Sequence, residues 1–128
     1  MQIKLMNLIE KYQNVKALEI KNQQFLNENI FGCIVSVGIL DQVTISNFRF
    51  EETEFLGGHF HDCLFKNCEI VDCDISKVEF DDHIFDNCQF NNTNLEWSDL
   101  ENCQFLSTEL HGINFNATII SHLKIKNN

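Results

Sequence analysis

Every fifth residue from Val15 to Ile125 is aliphatic or aromatic, an unbroken run of twenty-three positions. About a third of the chain is Phe, Ile, Leu or Val, so such a run has a chance probability on the order of 10⁻¹¹. A period of five is neither the 3.6 of a helix nor the 2 of an ordinary strand. It predicts a repeat architecture, and it sets the fold ahead of any local propensity. A second regularity reinforces the first. Cys33, Cys63, Cys68, Cys73, Cys88 and Cys103 all stand two residues before an in-phase apolar residue, as do Thr53, Thr93, Thr108, Thr118, Ser98, Gly38 and Gly58. Most Asp, Glu, Asn and Lys fall at the other three positions. Two inward and three outward positions in five describe a wall with an apolar lining.

The unit stands as Cys73-Asp74-Ile75, Thr93-Asn94-Leu95, Ser98-Asp99-Leu100 and Cys63-Leu64-Phe65. It resembles the pentapeptide repeat family, whose unit reads small, Asp or Asn, Leu or Phe, then two variable residues. The resemblance is clear over residues 28–122 and looser over 15–27. It implies an all-β fold: a right-handed, four-sided β-helix, or solenoid, with roughly 20 residues in each of about five coils. Residues one coil apart then stack about 4.8 Å from one another. Phe65, Phe85 and Phe105 fall in one interior column between Ile45 and Ile125, and Ile30, Phe50, Ile70, Phe90 and Leu110 in another.

Residues 3–12 lack the five-residue phase, and Leu5, Leu8, Ile9 and Tyr12 have helical spacing instead. They predict a short amphipathic helix capping the first coil, since an open β-helix end exposes unpaired backbone. The chain therefore reads as one domain, 1–128, with a helical cap at 1–14 and coils at 15–127. Near the start, Gln23 and Glu28 replace the small inward residue. Near the end, Ile119, Ile120, Leu123 and Ile125 are expected to lie bare, which makes a homodimer one alternative.

Proline is absent, as a chain needs when nearly every residue donates to a ladder or turns a tight corner. No signal-peptide pattern and no membrane-length apolar run is present, so no membrane contact is expected. Six cysteines without an export signal predict reduced thiols and a cytoplasmic location. Cys68 and Cys88 stack closely enough for a bridge, but cysteine at this column reads as a small apolar filler. Net charge is −10 and unevenly spread. Residues 47–112 hold fifteen acids against Arg49, Lys66 and Lys77, while the flanking segments are neutral or weakly positive. That belt argues against direct nucleic-acid binding, which needs a basic footprint, and favours a basic protein partner.

The densest acidic wall surrounds Phe60, Phe80 and Leu100. Its outward columns read His59–Glu79–Asp99, His61–Asp81–Glu101 and Asp62–Asp82–Asn102. Stacked like charges repel, so the wall stabilises the fold less than a mixed one would. Asp62, Glu79, Asp81, Asp82, Asp99 and Glu101 are the candidate partner-binding residues. Some pentapeptide repeat proteins of the quinolone-resistance type are DNA mimics that bind type II topoisomerases, and the resemblance implies such a partner here. An immunity-type protein that neutralises a basic toxin would use the same wall, and a self-associating scaffold is the structural alternative. Leu64, Ile84 and Leu106 form a candidate self-association patch. His59 and His61 beneath Glu79 and Asp81 have metal-ligand chemistry, but the spacing follows from the repeat, and neither metal nor cofactor is assigned. Cys63, His83 and Cys103 share an inward column without a substrate pocket, so no enzyme activity is expected. His83, large for that column, is read as a local bulge bonded to backbone.

Overall fold

A computed structural model describes residues 2–127. Among these residues one helix, Leu5–Tyr12, precedes eighteen strands, most of them three residues long. The short strands centre on in-phase residues, as His59–His61 does on Phe60 and Ile84–Asp86 on Phe85. All pairings are parallel, and almost every partner lies 20 residues away: Glu79 faces His59 on one side and Asp99 on the other. Three faces carry continuous sheets, running through Ile20–Leu40–Phe60–Phe80–Leu100–Ile120, through Phe25 to Ile125, and through Ile30 to Leu110. The fourth face is held by the pairing of Ile34–Ser36 with Glu54–Leu56 and then by single bridges Glu54–Asp74–Asn94–Asn114. The result is a four-sided parallel solenoid of about five coils with an apolar centre.

The corners explain the outward sequence bias. The residue two past each in-phase position adopts left-handed backbone, with φ of +53° to +61° at Asn22, Asn27, Asn47, Asn67, Asn87, Asn92, Asn102, Asp62, Asp72 and Asp82. Asn and Asp tolerate this region better than other side chains. Their side chains then ladder from coil to coil, as in Asn47–Asn27 at 2.9 Å and Asn87–Asn67 at 2.7 Å. On the fourth face a different turn recurs. Asp74, Asn94 and Asn114 each accept the N–H two residues on at 2.9 Å, which leads into a turn with Lys77, Trp97 or Ala117 at positive φ.

The inward small column does more than fill space. Each of Thr53, Cys63, Cys68, Cys73, Cys88, Thr93, Ser98, Cys103, Thr108 and Thr118 donates to the carbonyl of the residue 23 before it, at 2.7–3.5 Å. The partner is the in-phase residue of the coil below, so thiol and hydroxyl link successive coils. All six cysteines are free, including the stacked Cys68 and Cys88. Burial pushes the Cys63 and Cys103 thiols up to about 11.

Every in-phase residue from Ile20 to Phe105 is buried. The rings stack along the axis, with Phe85 and Phe105 5.0 Å apart and inclined by 7°. Val15 keeps the phase but is 74% exposed, because it lies in the link between helix and first strand, which begins at Leu18. The coils therefore start three residues later than the period alone suggests. At the other end Ile119, Ile120 and Ile125 are exposed. Residues 1 and 128, the outer bounds of the expected domain, lie outside the described residues.

The helix buries Leu5 and Ile9 against the first coil, with Met6, Leu8 and Tyr12 partly covered. Its N-cap, Lys4, has no side-chain cap. Glu28 does that work from the β-helix. Its carboxylate accepts the N–H of Leu5 at 2.7 Å and of Met6 at 2.9 Å. A buried negative charge thus meets the positive end of the helix. One corner departs from the rule. The strand Ile34–Asp41 runs extended around it and turns Val37 inward. A Cβ on Gly58, directly above, would stand 2.6 Å from the Val37 Cβ, so only glycine fits there.

Candidate functional site

The first face brings the acidic residues together as the column arithmetic predicts. Glu79, Phe80 and Asp81 form one strand, paired below with His59, Phe60 and His61 and above with Asp99, Leu100 and Glu101. The central apolar residues are buried, which forces the flanking side chains outward. Glu79 and Glu101 are exposed, and Asp81, Asp82 and Asp99 are half-buried at the wall's surface. Asp62 projects from the corner below Asp82. Within residues 58–62, 78–82 and 98–102 there is no lysine or arginine. Arg49, on another face, bonds Glu51 at 2.8 Å and also pairs with Glu69. Glu51 is the main reason its guanidinium is held above its ordinary range.

The histidines His59 and His61 lie against acids of the same face in neighbouring coils. His61 Nδ1 lies 3.0 Å from Asp41 Oδ1. His61 Nε2 lies 3.7 Å from Asp82 Oδ2, and Asp82 Oδ1 accepts an N–H from Asn102 at 2.6 Å. His59 lies 4.0 Å from Glu79 and 3.9 Å from Asp81. The Asp41 hydrogen bond, aided by the charges of Asp81 and Asp82, raises the pKa of His61. Asp41 is the residue sequence reasoning missed. It sits 20 residues before His61, so the coil period places it in the same column. One donor atom each from His61, Asp81 and Asp82 lies within 4.8 Å of the others.

Leu64 and Ile84 stack in register on the second face, and Leu106 pairs beside Asp86. All three are half-buried rather than bare, because the neighbouring strands cover their flanks. The exposed large apolar residues lie elsewhere, at Val15, Phe31, Ile34, Leu56 and Trp97 among others. Val15, Ile34 and Leu56 line a cleft of about 420 Å³ beside the helix, together with Ile9, Tyr12 and Leu18.

His83 corrects the sequence reading outright. It makes no bulge: Asp82, His83 and Ile84 keep the ordinary coil register, with Ile84 facing Leu64 and Gln104. The ring is fully buried, and neither nitrogen has a hydrogen-bond partner. Phe85, Phe65, Phe80 and Phe60 surround it at centroid distances of 4.3, 4.8, 5.0 and 5.9 Å. The ring is thus held by aromatic contacts in place of the expected backbone hydrogen bond. Desolvation lowers its pKa to about 3, so it is neutral at physiological pH.

A parallel, four-sided solenoid with large apolar and small donor residues alternating inward defines a pentapeptide-repeat β-helix. The chain belongs to the pentapeptide repeat family: the family's repeat-region model matches residues 58–128. Among curated proteins no sequence match is found. Among solved structures, the pentapeptide repeat protein Rfr23 of the cyanobacterium Cyanothece 51142 shares the fold, with a TM-score of 0.54 over 94% of this chain and 95% of that one at 14% identity. QnrB1, a plasmid-mediated fluoroquinolone resistance protein, superposes more loosely, with a TM-score of 0.39 over 84% of this chain and 74% of that one, again at 14% identity. Among the described residues no helix is long and apolar enough to cross a membrane.

Proposed function

We propose that this chain is a non-catalytic protein-binding rod whose acidic wall captures the basic groove of a partner that handles DNA. The supporting observation is charge density on a rigid lattice. The coil holding Glu79, Asp81 and Asp82 presents three carboxylates over about 4.8 Å of axis, or about one per 1.6 Å. Duplex DNA carries about one charge per 1.7 Å. Asp99 and Glu101 continue the array above, and Asp62 extends it below. Backbone hydrogen bonds on both sides of each strand fix the spacing, so the wall meets a partner without first being ordered. A type II topoisomerase is the partner class this imitation of DNA suits, and a basic toxin offers the same groove chemistry. Six free cysteines suit a reducing compartment, so the cytoplasm is the proposed location.

The test is binding to a purified type II topoisomerase at low salt, with duplex DNA as competitor. Binding that DNA displaces, and that Asp81→Lys, Asp82→Lys and Glu101→Lys together abolish, supports a topoisomerase target. Binding unaffected by the triple substitution overturns the wall as the contact.

A further inference from the structure

We infer that His61, Asp81 and Asp82 form a binding site for a divalent transition-metal cation, with Asp41 and Asn102 as the residues that aim its ligands. Three side chains on two adjacent coils converge: His61 Nε2 stands 3.7 Å from Asp82 Oδ2, and donors from all three fit within 4.8 Å. Two ligands of a tetrahedral zinc ion, each about 2.1 Å from the metal, lie about 3.4 Å apart. Small rotamer adjustments therefore close the site.

Residues stacked one coil away orient the ligands of this cluster. A neutral histidine can ligate through one nitrogen only if the other carries the proton. Asp41 accepts from Nδ1 at 3.0 Å and so leaves the Nε2 lone pair turned toward Asp82. Asn102 donates to Asp82 Oδ1 at 2.6 Å and leaves Oδ2 turned toward His61. Both ligands thus have their far atoms tied down and their near atoms free. His59 approaches Asp81 at 3.9 Å and offers a further imidazole at the edge. The five residues come from four successive coils, so the β-helix supplies the rigidity that metal ligands need. The mixed imidazole–carboxylate set favours zinc and its transition-metal neighbours over magnesium and calcium, which prefer oxygen alone. The inference stands apart from the partner reading, since either can fail without the other.

Untagged protein would be titrated with Zn²⁺ by calorimetry at pH 7.5, and its melting temperature followed with and without the ion. We expect one site per chain, a raised melting temperature, and no comparable effect of Mg²⁺. His61→Gln and Asp82→Asn should each weaken binding at least tenfold. Asp41→Asn should weaken it less while leaving the stoichiometry at one, as expected of a positioning residue. His111→Gln, at an exposed site remote from the wall, should leave binding unchanged. The titrated positions are on the surface, and circular dichroism verifies that each variant is folded. Absence of binding up to millimolar Zn²⁺, or binding retained in His61→Gln, would overturn the assignment.

Discussion

At the scale of single residues, the inward column separates what the period dictates from what chemistry adds. Position dictates only that the side chain point inward, and Val43, Phe48 and Val78 fill the column as plain apolar residues. Cysteine, threonine and serine recur there while alanine does not, and the reason is the bond each donates to the coil below. That signal was present in the sequence as the shared donor of three otherwise different residues. His83 is the exception that costs stability. Its two nitrogens are unpartnered among phenylalanine rings, where a buried unsatisfied polar group typically costs about 1–3 kcal/mol. His83→Leu, similar in size, should therefore stabilise the fold by about 1–2 kcal/mol. The pH dependence has a definite sign. The folded pKa is depressed to about 3 from an ordinary 6.5, so acid protonates the unfolded chain first. Stability should fall below about pH 6.5, by about 2 kcal/mol between pH 7 and pH 5. Urea unfolding at the two pH values checks this. The loss should shrink by that amount in His83→Leu, and an equal loss in both proteins would contradict it. The period could place His83 in the core but could not reveal the absence of a partner, which depends on four rings from two successive coils.

At the scale of elements, the repeat was legible from spacing alone, while the four-sided solenoid followed from the resemblance of its unit to the pentapeptide repeat family. The junction between helix and first coil was not legible. The helical spacing of Leu5, Leu8, Ile9 and Tyr12 identifies the helix and its apolar face. Where that helix docks depends on Glu28, which stands out in sequence only as an acid in a small-residue column. Two charged hydrogen bonds and the helix dipole meet at its carboxylate. Glu28→Ala should cost about 2 kcal/mol, and Glu28→Gln about half that, since the amide keeps acceptor geometry but loses charge. Unfolding in urea measures both. Equal stability of Glu28→Ala and the natural chain would show that packing of Leu5 and Ile9 alone holds the helix. The extended corner at Val37 was equally hidden. The repeat marks Gly58 as merely small, whereas the fold needs its missing Cβ.

At the scale of the whole molecule, burial and charge lie on separate coordinates. The apolar column sets the fold, and the outward positions are free to vary within the tolerance of the left-handed corners. On the first face that freedom accumulates acids in register, at a cost in mutual repulsion that coil-to-coil hydrogen bonds offset. The wall and its members were legible in sequence once columns were written 20 apart. The order within it was not, because hydrogen bonds such as Asp41 to His61 and Asn102 to Asp82 link side chains the pattern shows only as stacked. That wall is the proposed contact surface. Affinity capture from native lysate tests it most directly, with the natural chain and the variant carrying Asp81→Lys, Asp82→Lys and Glu101→Lys compared at low and high salt. An electrostatic contact predicts a basic protein retained by the natural chain at low salt, released at high salt, and absent from the variant. The same proteins on both baits, insensitive to salt, would contradict it.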